Sequence, residues 1–190
     1  MKTKPEPLDR RSPRDRLLAA AAELFYLEGV NSVGIDRIIE RAGVAKASLY
    51  AHFKSKDELV QAYLGQRHEA RKARIEAKLS GISDPREKLL AIFDVLGDVF
   101  AQANFRGCAF LRASAEIRVD SEARDVCDEY RHWIRALFTD LSRQSGAADP
   151  GELARRLLLL YDGASVSAQM DGDLQAASVA RQIAERFLLA

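Results

Sequence analysis

Apolar residues recur along this chain at three- and four-residue spacing, and no long stretch alternates apolar with polar. That period belongs to helices with one buried face, so the pattern predicts an all-α fold. Ser12-Pro13 supplies an N-cap and a proline at a first helical position. Leu17, Leu18, Ala21, Ala22, Leu24 and Phe25 then mark one buried face, which ends at Gly29. A second short helix is predicted from Ile35 to Ala42, stopping at Gly43, and a third from Ala45 to His52. Ser55-Lys56-Asp57-Glu58 reads as a capping box that launches a long helix to Leu79. The second half of that helix, Arg67 to Lys78, is so charged that it is expected to be largely exposed. Asp84-Pro85 and Asp149-Pro150 repeat the start signal. Further helices are predicted over 85–103, 109–117, 121–144, 150–170 and 174–189, about nine in all.

The chain has 190 residues, of which 47% are hydrophobic and 30% charged, enough apolar material for a core. No apolar run approaches the roughly 18 residues of a membrane helix, and the charged N-terminus lacks the apolar segment of a secretory signal. Cys108 and Cys127 are too few for a disulfide framework. These features lead us to expect a cytoplasmic protein. Net charge is only +1, but residues 1 to 54 hold ten bases against seven acids. That sign suits an N-terminal end that faces nucleic acid.

Three short helices with Gly43 at the corner between the second and third form a helix-turn-helix candidate. Gly43 ends the second helix in the left-handed conformation that glycine adopts cheaply. Ile38 and Val44 are placed to lock the two helices together, and Leu49 and Phe53, four apart, point to the core. Lys46, Ala47, Ser48, Tyr50 and His52 fall on or near the other side. A major groove admits one helix, and small residues such as Ala45, Ala47 and Ser48 let its backbone approach the bases. Lys46 has the reach for a guanine edge. Tyr50, His52, Lys54 and Lys56 suit phosphates, with N–H groups of the next helix start as further donors. Arg10, Arg11 and Arg14 suit either a solubilising tail or an arm beside the site, entering the minor groove.

The stretches "AAAELFYLEGV", "IDRIIERAGVAKASLYAHF" and "KSKDELV" resemble the DNA-binding domain of the TetR/AcrR family of bacterial transcriptional regulators. Residues 1–11, rich in Pro and charge, are expected to form a flexible basic arm. The resemblance implies a helix-turn-helix DNA-binding domain, here over 12–55. It implies an effector-binding and dimerisation domain over 56–190. It further implies a homodimer on a palindromic operator, released by a small molecule. Two positions depart from many relatives: Gly34 stands where a threonine is common, with Ser32 expected to take over the capping, and Ala47 replaces a glycine.

Phe93, Leu96, Phe100, Cys108, Phe110, Trp133 and Tyr161 are bulky or apolar candidates for an effector pocket between helices. Arg112, Glu116, Tyr130 and Gln169 are candidates for its orienting polar groups. Their composition favours an apolar or aromatic effector. The small residues Gly163, Ala164, Ser167 and Ala168, with Ala180, Ile183 and Phe187, suit either a dimer-forming helix pair or tight packing within one subunit.

No catalytic constellation, phosphate-binding glycine loop or metal-ligand spacing is present; His52, His68 and His132 are scattered. We expect no enzyme, no cofactor and no metal. The leading reading is a repressor. Two others stay open: a helical interaction module that has lost DNA binding or sensing, and a redox-responsive regulator acting through Cys108.

Overall fold

The computed structural model describes residues 11–189. Among these there are helices and connecting turns but no strands: α1 (Pro13–Glu28), α2 (Ile35–Ala42), α3 (Lys46–His52), α4 (Lys56–Leu79), α5 (Pro85–Phe100), α6 (Ala109–Glu116), α7 (Glu122–Gln144), α8 (Pro150–Met170) and α9 (Ala176–Leu189). An N-terminal helix-turn-helix thus precedes a C-terminal helical body. Apart from Arg11, which is exposed, the arm expected over residues 1–11 lies outside the described residues.

Side-chain caps fix where several helices begin. Ser12, Ser55, Asp84, Ser121 and Asp149 each accept a backbone N–H from the first turn of the helix that follows. At Ser55 the box differs from the reciprocal form: Glu58 accepts the N–H of Lys54 rather than that of Ser55. The helix expected to reach residue 103 stops at Phe100. Its chain turns there so that Phe105 packs on Phe100, with ring centroids 5.0 Å apart, and Arg106 reaches back to α1. Before α9, Asp173 accepts the Gln175 N–H in a tight turn and delays the helix start to Ala176.

α1 packs on α2, α3 and α4, while α4 continues into the body against α5 and α7. α8 and α9 pack on each other and on α5. One apolar core runs from Leu17, Ile38, Leu49 and Phe53 through Leu59 and Tyr63 to Phe93, Phe138 and Leu157. Because α4 belongs to both ends, any tilt of this helix moves the first three relative to the body.

The charged second half of α4 is not simply a solvated face. Tyr63, Arg67, Arg71, Ile75 and Leu79 recur every four residues, and this row faces inward. The Arg67 guanidinium lies 4.2 Å from the Tyr26 ring centroid, and Arg71 donates to the Tyr161 hydroxyl at 2.6 Å. Arginine carries enough apolar stem to line a core while its head finds aromatic or hydroxyl partners.

Candidate nucleic-acid interface and effector cavity

Gly43 closes α2 at φ 62°, ψ 43°, and the N–H groups of Gly43 and Val44 satisfy the Glu40 and Ile39 carbonyls. This turn sets α3 across α2, with Leu49 and Phe53 in the core. Lys46, Ala47, Tyr50 and His52 are exposed, Ser48 is half-buried, and Tyr50 has 51% of its surface free. Lys54 is exposed beside them. Lys46 bridges to Asp36 at the start of α2 (3.0 Å), which raises its ammonium pKa through the hydrogen bond to that carboxylate. Both partners are solvent-exposed, so the pair is weak and a phosphate or guanine can replace Asp36.

Ser32 does not cap α2. The cap position is Gly34, in extended conformation, and no side chain accepts the first N–H groups. Ala45 leaves the start of α3 uncapped in the same way. Both helix starts therefore present N–H donors without side-chain acceptors, a feature suited to phosphate. Lys56 is half-buried; burial lowers its pKa, and the Glu116 carboxylate of α6 offsets part of that effect. It faces the body rather than standing free beside α3.

A cavity of about 320 Å³ lies between α6, α7 and α8. Cys108, Phe110, Leu111 and Ser114 contribute from the α6 side. Arg124, Cys127, Asp128, Tyr130 and Arg131 come from α7, and Tyr161, Asp162, Ser165 and Val166 from α8, each set at helical spacing. Phe110 and Tyr130 stack at 3.9 Å with planes 10° apart. The charged residues of the wall are paired: Arg124 with Asp128 at 3.5 Å, and Arg131 with Asp162 at 2.8 Å. Burial pushes the Cys127 thiol up to about 11 and raises the Tyr130 phenol well above its ordinary value.

The pocket candidates divide. Cys108, Phe110, Tyr130 and Tyr161 line this cavity. Phe100, Arg112 and Gln169 line a second hollow, of about 630 Å³, beside the turn after α5. Phe93 and Leu96 line neither, being packed in the core, where Phe93 meets Phe138 and Tyr161. Trp133 is half-buried against His68, centroids 5.5 Å apart, also outside both. Glu116 joins α6 to the helix-turn-helix instead. Its carboxylate accepts the Asn31 N–H and its carbonyl accepts Asn31 Nδ2, both at 2.8 Å. Gly29, at φ 96°, makes room for it, since a Cβ there would stand 2.7 Å from Glu116 Oε1.

More bonds reinforce that junction. Arg112 Nη1 donates to the Tyr26 carbonyl at 2.5 Å. The Tyr26 hydroxyl donates to the Gly107 carbonyl at 3.1 Å and accepts the Arg106 N–H at 2.9 Å. Ser121 Oγ donates to Asp57 Oδ1 at 2.6 Å, tying the start of α7 to the start of α4. α6 is therefore two-sided: Phe110, Leu111 and Ser114 face the cavity, while Arg112 and Glu116 hold α1 and its following turn. Tyr26, Asn31, Arg71, Arg124, Arg131 and Asp162 were not candidates in the sequence. For Arg71 a signal existed in the four-residue row from Tyr63 to Leu79; for the others, position depends on tertiary packing.

Among the dimer candidates, Ala164, Ala168 and Ala180 are buried inside the subunit, packing α8 and α9 closely. Gly163 and Ile183 are exposed, while Ser167 and Phe187 are half-buried. An exposed row on α8 runs through Leu159, Gly163, Val166 and Met170, with Met170 77% free, and Val179 and Ile183 are exposed on α9. Among the described residues no group of three or more His, Cys, Asp or Glu is placed to hold a metal, and no helix is long and apolar enough to cross a membrane.

Residues 17–63 match the family model for bacterial regulatory proteins of the tetR family. The HTH-type transcriptional repressor KstR2 of Mycolicibacterium smegmatis is 34% identical over 150 residues, covering 75% of this chain and 69% of that protein. The HTH-type transcriptional regulator LmrA of Bacillus subtilis is 29% identical over 140 residues, 72% of this chain and 74% of its own. A TetR-family transcriptional regulator from Streptomyces coelicolor, known from its crystal structure, superposes with a TM-score of 0.82 at 32% identity, covering 91% of this chain and 96% of that one. With an exposed recognition helix set by Gly43 and relatives that are transcriptional regulators along most of their length, the chain belongs to the TetR family and is a DNA-binding transcriptional regulator, not an enzyme.

Proposed function

We propose that the protein is a repressor that binds a palindromic operator as a homodimer and is released by a small, mainly apolar or aromatic effector. The observation that carries this reading is the two-sided α6, which lines the cavity with one face and holds the helix-turn-helix with the other. On this reading a molecule that fills the cavity beside Phe110 and Tyr130 shifts α6, and that shift is passed to Tyr26 and Asn31. In this scheme residues 12–55 read DNA and residues 56–190 sense and dimerise, in the cytoplasm. The repressor sign is supported by the name of KstR2.

The dimer has a physical motive. One seven-residue recognition helix spans too few base pairs for specificity, whereas two held about 34 Å apart read successive faces of the major groove. The exposed row of α8 and α9 supplies an apolar surface that a second copy would cover.

The test is a footprint of the purified protein on the DNA upstream of its own gene, with fluorescence anisotropy for affinity. We expect protection of an inverted repeat. Lys46→Ala should weaken that binding by about 1–3 kcal/mol per lost contact, and Tyr50→Ala should weaken it too. Equal affinity of the wild type and both variants would contradict the assignment of α3.

A further inference from the structure

The paired tyrosines on the cavity wall leave a hydrogen-bonding account that does not close. Tyr130 and Tyr161 are only 4% and 3% exposed, and their hydroxyl oxygens lie 3.3 Å apart. Between them the two groups own two hydrogens, and their mutual bond uses one. Whichever way that bond points, the second hydrogen has no acceptor among the described residues. Buried hydroxyls usually find partners, because leaving a donor unmet forfeits its hydration.

The same pair is polarised from behind. Arg71 donates to the Tyr161 hydroxyl at 2.6 Å and forms no ion pair among the described residues. The acids nearest the cavity are committed elsewhere, Asp128 to Arg124 and Asp162 to Arg131. This wall therefore offers a cation without a counter-ion, relayed through a hydroxyl to a spare O–H donor. Beside the relay the stacked Phe110 and Tyr130 rings border the cavity.

We propose that the effector is an aromatic or alicyclic acid: its carboxylate accepts the spare tyrosine hydrogen under the field of Arg71, and its ring lies along the Phe110–Tyr130 stack. An anion is matched three ways, by the free donor, by the unpaired guanidinium and by acids that are already neutralised. A cation would have to break one of the two ion pairs, and a neutral apolar molecule would leave the donor unmet. The proposal rests on the reading of this cavity as the effector site and narrows that reading to a chemical class. Arg71 stands on α4, so an acid drawn toward it also acts on the helix that carries the recognition unit.

Titration calorimetry on the full chain with 2-naphthoate, methyl 2-naphthoate and 2-naphthylmethylammonium tests it. We expect the acid to bind at least tenfold tighter than the ester or the ammonium. Arg71→Gln should reduce acid binding to the level of the ester and leave the ester unchanged. The double variant Tyr130→Phe/Tyr161→Phe, which keeps both rings, should do the same, so a folding defect in one variant is exposed by the other. An ester or ammonium that binds as tightly as the acid would overturn the proposal. So would acid binding that survives both variants, or the absence of binding by all three probes at millimolar concentration. Operator affinity read on the same samples separates this claim from the functional reading. If the acid binds through Arg71 but leaves DNA binding undisturbed, the ligand class stands and the coupling to DNA fails.

Discussion

At the scale of single residues, burial shifts the proton chemistry of several groups, Cys127 and Tyr63 among them, far enough to measure. Burial pushes the Cys127 thiol up to about 11, and it pushes the Tyr63 phenol up to about 12. Both values exceed those of an unfolded chain, about 8.5 for cysteine and about 10 for tyrosine. The folded protein thus holds these protons more tightly than the unfolded one. Their contribution is complete below the unfolded values and is lost as pH rises through the folded ones. Urea midpoints should therefore fall from about pH 8.5 to about pH 12, and Cys127→Ala should flatten the first part of that fall. An identical slope in the variant would show that Cys127 is not the titrating group. Cys127 is buried and Cys108 only half-buried, so an oxidant entering this cavity would reach Cys108 first.

Among elements, α6 concentrates the coupling. It is short, held at its C-terminal end by Glu116 and on its far face by Arg112, and it walls the cavity with the residues between. Glu116→Ala removes the acceptor of the Asn31 N–H and should cost about 1 kcal/mol of stability, read by urea unfolding. Its larger consequence concerns transmission. A ligand should still fill the cavity, but the change that it produces in operator affinity should shrink at least threefold. An unaltered response would move the coupling away from this latch.

The helices themselves were legible because their starts are written in local chemistry. Ser12-Pro13, Ser55, Asp84-Pro85 and Asp149-Pro150 each cap as their sequence implies, and Gly43 turns the chain where its φ requires. Ends decided by tertiary contact were not legible: α5 stops early because Phe105 and Arg106 have partners to reach. The face of α3 could be read from the spacing of Leu49 and Phe53. The cavity wall could not, since bulk and hydropathy mark Phe93 and Phe110 alike while only one of them borders empty space. Charge misled at Arg71, whose partner is a tyrosine ninety positions away. Small size left two readings open at Ala164, Ala168 and Ala180, and all three are buried inside the subunit.

For the whole molecule, the uncovered apolar row on α8 and α9 is the feature that a lone subunit does not explain. Leu159 and Met170 are 62% and 77% exposed, and Val166 on α8 and Val179 and Ile183 on α9 are exposed as well. Charge placed there should divide the dimer without disturbing the core. Val166→Asp combined with Ile183→Asp should sediment as a folded monomer and lose most of its operator affinity, because a single recognition helix remains. A dimer that persists in this variant would place the interface elsewhere.

In the proposed scheme cavity and DNA face are linked through one folded body. Linkage is reciprocal, so a ligand that weakens DNA binding must itself be weakened by DNA to the same degree. The most direct measurement is the operator dissociation constant of the wild type, by anisotropy, without and with a ligand shown by titration to fill the cavity. We predict a rise of tenfold or more, about 1.4 kcal/mol of coupling. An operator affinity that stays the same while the cavity is filled would contradict the account.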